Sequence, residues 1–161
     1  ISVFGDSGWQ GYWSSLKKNN VKVVASWEDA YYTQFSGSSG KGKFPIVLSY
    51  SSSPAYEVRD NGESQTEALL DACYRQTEYA AVLTNAKNPE AAAKFVTFLR
   101  SAEFQSTLAE NMYVYPVIDG VKLPESWAKF APTTDTPIGG ELDVNTNREA
   151  WLKAWSALFA G

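Results

Sequence analysis

The sequence predicts an α/β domain, and two observations carry that expectation. Short apolar or β-branched runs, Val21–Val24 and Phe44–Ser49 among them, alternate with longer stretches whose apolar residues recur at helical spacing. A chain of 161 residues, 44% of them hydrophobic, is also long enough to fill one ordinary core. Such an alternation points to a mostly parallel sheet, with ligands at the carboxyl ends of its strands.

Each element has its own local reason. In the first helix, about 7–19, Trp9, Tyr12, Trp13 and Leu16 fall at i, i+3, i+4, i+7 and share a face. Asp6 or Ser7 can cap its start, and Lys17-Lys18 suit its negative pole. Val21–Val24 reads as a strand, and Trp27 at its carboxyl end opens a second helix through Phe35. The run SGSSGKGK, residues 36–43, reads as a flexible surface loop. Phe44–Ser49 and part of Cys73–Leu83 read as strands.

Asn88-Pro89-Glu90 is a helix start: a capping side chain, a proline in the first turn and an acid beside the positive pole. Ala92, Phe95, Val96 and Leu99 would form the buried face of that helix, about 88–100. A short helix follows from Ser101 through Leu108, then an extended crossing segment over Asn111–Val117. Thr146-Asn147-Arg148-Glu149 has the form of a capping box and would open a last helix, about 147–159, carrying Trp151, Trp155, Leu158 and Phe159.

Composition excludes several kinds of chemistry. There is no histidine, so a Ser-His-Asp triad, a Cys-His pair and histidine-ligated zinc are ruled out. A single cysteine, Cys73, can form no internal disulfide. The net charge of −4 lacks the basic stripe of a nucleic-acid binder, so no nucleic-acid partner is expected. No apolar run approaches the roughly 18 residues of a membrane span. The chain opens Ile1-Ser2-Val3-Phe4, without methionine or leader, and reads as a piece of something longer.

The most informative stretch is VLSYSSSPAY, residues 47–56. A turn needs Gly, Pro, Asn or Asp, but it does not need four serines and two tyrosines. By the strand-end rule this corner and Trp27 lie at one rim, where hydroxyls, backbone N–H groups and rings face a cleft. A plainer reading stays open: a capped helix start whose tyrosines pack on their neighbours.

Several motifs in a particular order then carry a resemblance. Trp27-x-x-Ala30-Tyr31, VLSYSSSPAY, CYRQTEYAAV, NPEAAAKFVTFLRSAEFQ, YVYPV and a final helix with AWLKAW follow one another. In this order they resemble the C-terminal half of the thiamine-binding proteins of ABC transporters, a type II periplasmic-binding-protein-like fold. The resemblance implies two lobes closing on thiamine or a thiamine phosphate. It implies an extracytoplasmic location, periplasmic or lipid-anchored, and a membrane permease as partner. It also implies an N-terminal lobe that is missing from this sequence.

On the motif, the ligand-side residues implied are Trp27, Tyr50, Ser53, Tyr56 and Tyr113; at Tyr113 the family often carries a tryptophan. Residues 1–110 would form an α/β ligand-binding lobe with crossover helices, and 111–161 a return segment with its helices. Without their lobe, the apolar faces of Trp127, Phe130, Trp151 and Trp155 would lack partners, and the chain would self-associate, swap its tail or leave its C-terminus disordered.

The residue types suit that ligand. Rings stack on a flat aminopyrimidine and attract a thiazolium cation, about 0.5–2 kcal/mol per good contact. No cofactor or metal is called for and no enzyme is expected, since Glu78 has no partner for proton transfer and no base activates Ser51–Ser53. Two alternatives share the fold: a ferric-ion-binding protein using Tyr31-Tyr32, and a binder of another small solute such as a sugar or polyamine.

Overall fold

The computed structural model describes residues 1–160. The three long helices lie close to where the short-range signals put them, while α2 occupies the predicted loop, α5 runs into the predicted extended segment and α6 lies outside the predicted helices. Helix α1 spans Gly5–Lys18, α2 Ser36–Ser39, α3 Pro89–Leu99, α4 Ala102–Gln105, α5 Leu108–Met112, α6 Glu125–Phe130 and α7 Val144–Phe159. Asn88 caps α3 by accepting from the Ala91 N–H at 3.0 Å, with Pro89 in the first turn.

At α7 the cap differs from the expected capping box. The helix begins three residues earlier, and the Asp143 carboxylate accepts from the Thr146 N–H at 3.1 Å. Thr146 is thus inside the first turn. An ionised carboxylate is a strong acceptor beside a positive helix pole, and the Thr146 hydroxyl first and its N–H second hold the Asp143 pKa below its usual range.

The helix after Trp27 also departs from expectation. Residues Asp29–Gln34 are wound as a π-helical turn, and the predicted loop that follows begins with α2. Turns of the wider kind often mark functional positions.

The expected strands Val21–Val24, Phe44–Ser49 and 73–83 form no continuous ladder among the described residues. Three isolated bridges stand in its place: Phe35 with Phe44, Val58 with Ser64, and Tyr74 with Ile138. A strand exists through its neighbours about 4.8 Å away. Here Phe44 and Tyr74 each meet a single bridging residue and no ladder continues from them, and several apolar side chains are left in the open, with Leu48 89% and Tyr79 90% exposed.

The core is small and sits under the serine-tyrosine corner. Trp127 is 1% exposed and packs with Ala55, Ala109 and Ala131, bordered by Tyr115, Leu123 and Phe130. This corrects the expectation that Trp127 and Phe130 lack partners. Trp155 also finds one: α7 lies on α1 through Trp13, whose ring meets Trp155 at 5.7 Å and Phe159 at 5.9 Å. The Lys17 ammonium donates to the Leu158 carbonyl at 2.8 Å, neutralising a helix end that lacks a partner within its own helix. On α3 the expected buried face forms only in part: Ala92, Val96 and Leu99 are half-buried, and Phe95 is exposed.

Candidate functional site

The corner at residues 49–57 is built by proline and serine. Pro54 fixes φ at the first turn of a 3-10 segment, Ser53–Tyr56. Ser53 N–H donates to the Tyr50 carbonyl at 3.0 Å, Ala55 N–H to Ser52 at 3.1 Å and Glu57 N–H to Pro54 at 3.2 Å. The chain therefore turns within one tight coil, and its side chains leave in two directions.

One group gathers around Trp27. Its indole N–H donates to Ser49 Oγ at 3.0 Å, and Ser49 and Ser53 hydroxyls meet at 2.7 Å. Tyr31, one helical turn beyond, stacks on the indole at 4.8 Å and 19°. Tyr32 stands edge-on at 5.5 Å and Tyr50 lies tilted at 6.1 Å. The Tyr31 phenol donates to Glu57 Oε1 at 2.9 Å. Burial first, and that carboxylate second, push its pKa well above the ordinary phenol value. Tyr50 is 61% exposed, so this group opens toward solvent.

A second group gathers around Trp127. The Tyr56 hydroxyl accepts from the Trp127 indole at 3.0 Å and donates to the Ala109 carbonyl at 2.5 Å. Tyr56 also meets Tyr113 edge-on at 4.6 Å. Tyr113 ends α5 with φ 59°, a left-handed cap that usually falls to glycine. Ser52, 2% exposed, holds that turn by donating to the Tyr113 carbonyl at 3.1 Å. Tyr115 donates to the Ala131 carbonyl at 3.0 Å and so receives the Ser51 hydroxyl, 3.1 Å away. Burial raises the pKa of Tyr56 and Tyr115 alike.

Of the residues predicted from sequence, Trp27, Tyr50 and Ser53 share the first group, while Tyr56 and Tyr113 share the second. One corner carries both, and no ring contact joins Tyr50 to Tyr56 among the described residues. Sequence reasoning missed Ser49, Glu57 and Trp127. The step of four from Trp27 to Tyr31 is a legible helical spacing, but nothing in sequence links Trp127 to a tyrosine 71 residues away.

Two shallow hollows lie elsewhere on the surface. One of about 380 Å³ lies between Ile1–Asp6 and the start of α7, and one of about 460 Å³ between α2 and the Arg59–Gln65 loop. Both are walled mainly by polar side chains and backbone and lack the facing rings of the corner. The corner itself is an open wall rather than an enclosed cavity.

Comparison with known proteins bears on this arrangement. A family model described as bacterial extracellular solute-binding protein matches residues 9–113. The chain is 34% identical over 155 residues to the thiamine-binding periplasmic protein of Escherichia coli (strain K12), covering 95% of this chain and 45% of that protein. It is 33% identical over 160 residues to the thiamine-binding periplasmic protein of Brucella melitensis biotype 1, covering 97% and 46%. A shorter match, 49% identical over 49 residues, links 30% of the chain to 14% of iron uptake protein A1 of Synechocystis. Among solved structures, a periplasmic thiamin binding protein superposes with a TM-score of 0.70 at 30% identity, over 97% of this chain and 48% of that one. The chain thus spans about half the length of the thiamine-binding relatives it matches.

Proposed function

The chain belongs to the bacterial extracellular solute-binding protein family, and from that premise we propose that it supplies one wall of a cleft that closes on thiamine or a thiamine phosphate. Its location is extracytoplasmic, and it is a transport binding protein rather than an enzyme. The observation that carries the ligand reading is the open aromatic group of Trp27 and Tyr50, in a chain 34% identical over 155 residues to a thiamine-binding protein.

Flat rings with a free face suit the aminopyrimidine, and the same rings attract the thiazolium cation. Tyr56 contributes by ring face alone, because its hydroxyl is already engaged on both sides, and the Tyr113 ring stands edge-on beside it. Ser53 offers a hydroxyl at the foot of the wall. A phosphate ester would find serine hydroxyls at the turn, since the N–H groups of Ser53, Ala55 and Glu57 are spent within it.

The full-length protein places residues 1–110 in the ligand-binding lobe and 111–161 in a return segment. A further lobe supplies the opposite wall, and segments 44–49 and 73–83 of this chain, alone, keep open edges. An ABC permease receives the loaded protein. Prepared alone, the 161-residue chain self-associates through those open edges. A monodisperse monomer in analytical sedimentation at high concentration would refute this last point.

Calorimetry on the full-length protein with thiamine, its monophosphate and ferric ion tests the ligand. Trp27→Ala and Tyr56→Ala are each expected to lose about 1–3 kcal/mol of thiamine binding, from stacking and cation–π attraction together. Unchanged thiamine affinity in both variants sinks the reading.

One observation favours a second reading, ferric-ion binding: the 49-residue match to an iron uptake protein. Against it, Tyr31 donates its proton to Glu57, and its raised pKa opposes the phenolate a ferric ion requires. Iron binding lost on Tyr31→Phe or Tyr32→Phe would decide for that reading.

A further inference from the structure

The plane of Trp27 is held at two places. Its edge is fixed by the indole N–H donating to Ser49 Oγ at 3.0 Å. One face is covered by Tyr31, stacked at 4.8 Å. Stacking alone is a broad well that lets rings slide over each other. What limits sliding is the far end of Tyr31, whose hydroxyl donates to Glu57 Oε1 at 2.9 Å. Glu57 in turn projects from anchored backbone: its N–H donates to the Pro54 carbonyl at 3.2 Å, and its carbonyl accepts from Gln65 N–H at 3.0 Å. A rigid corner, a carboxylate, a phenol and an indole thus form one chain of contacts.

We propose that Glu57 is a positioning residue for the aromatic wall, acting through the Tyr31 hydroxyl to hold the plane of Trp27 ready for a flat ligand. This rests on the thiamine reading, but its test has a readout that needs no thiamine. In full-length protein labelled with 5-fluorotryptophan, the Trp27 fluorine resonance is assigned by its loss in Trp27→Phe. Without ligand, that resonance is expected to shift or broaden in Tyr31→Phe, which keeps the ring but removes the bond, and in Glu57→Ala.

Glu57→Gln, whose amide oxygen still accepts from the phenol, is expected to restore the native resonance. Thiamine affinity is expected to fall about 3- to 10-fold in Tyr31→Phe and Glu57→Ala, the effect of one hydrogen bond, and to stay within about 2-fold in Glu57→Gln. A resonance unmoved in both Tyr31→Phe and Glu57→Ala overturns the proposal, as does Glu57→Gln behaving like Glu57→Ala. If Glu57→Ala does not fold, the other two variants still decide. Should Trp27→Ala and Tyr56→Ala both leave thiamine binding intact, the ligand reading fails while the resonance still judges the positioning.

Discussion

The two aromatic groups at the corner use the same residue types and end in opposite conditions. Around Trp127, the polar tips of three rings are spent inside the protein: its indole N–H on Tyr56, the Tyr56 hydroxyl on Ala109, and the Tyr115 hydroxyl on Ala131, while the Tyr113 ring at the border stays half exposed. Around Trp27, the polar tips of Trp27 and Tyr31 are also engaged, but the rings of Tyr32 and Tyr50 remain exposed. The first group holds the fold together. The second is held in shape by the fold, yet leaves apolar surface unburied, and unburied rings beside fixed polar groups are what a binding wall needs.

Trp127→Ala breaks the comparison most severely. It empties the middle of the core and removes one of the two partners of the Tyr56 hydroxyl, so a loss of about 3–5 kcal/mol in denaturant unfolding is expected. A loss under about 1 kcal/mol would mean that the Trp127 group is not the core.

Tyr56→Phe sharpens it. The ring stays, but the buried Trp127 N–H loses its acceptor and Ala109 its donor, at a cost of about 1–3 kcal/mol. Tyr50→Phe on the open side is expected to change stability by less than about 0.5 kcal/mol. Equal effects on unfolding would erase the distinction between the two groups. The expected loss in Tyr56→Phe also means that weaker thiamine binding in that variant must be read beside its stability.

Part of this was legible beforehand. Trp27, Tyr50 and Tyr56 could be singled out from the strand-end rule and an unusual serine-tyrosine corner, whereas Ser53 and Tyr113 were implied only by the family resemblance. Their division into two groups could not. It depends on which rings the chain brings against them: Trp127 from α6 and Ala109 from α5 on one side, and Glu57 reaching back to Tyr31 on the other. The expected strands failed for a related reason. A β-branched run states a preference for extension, but a ladder requires a second strand, and the sequence of one segment does not contain it.

Read alone, then, the sequence determined whatever acts over a few residues. The spacing of Trp9, Trp13 and Leu16 placed α1, the Asn88-Pro89 pair started α3, and the absence of histidine closed off whole classes of chemistry. These rest on contacts at i+3 and i+4 and on covalent inventory, which any reader of the chain can count. Tertiary structure alone decided that Trp127 is the most buried ring, that Asp143 rather than Thr146 caps α7, and that the Tyr56 hydroxyl is consumed internally while Tyr50 stays open. The Asp143 cap is local, but two capping registers compete there and only the packed helix selects one. The others join residues tens of positions apart, where burial and hydrogen bonding depend on which surfaces meet, and composition or spacing does not encode that meeting.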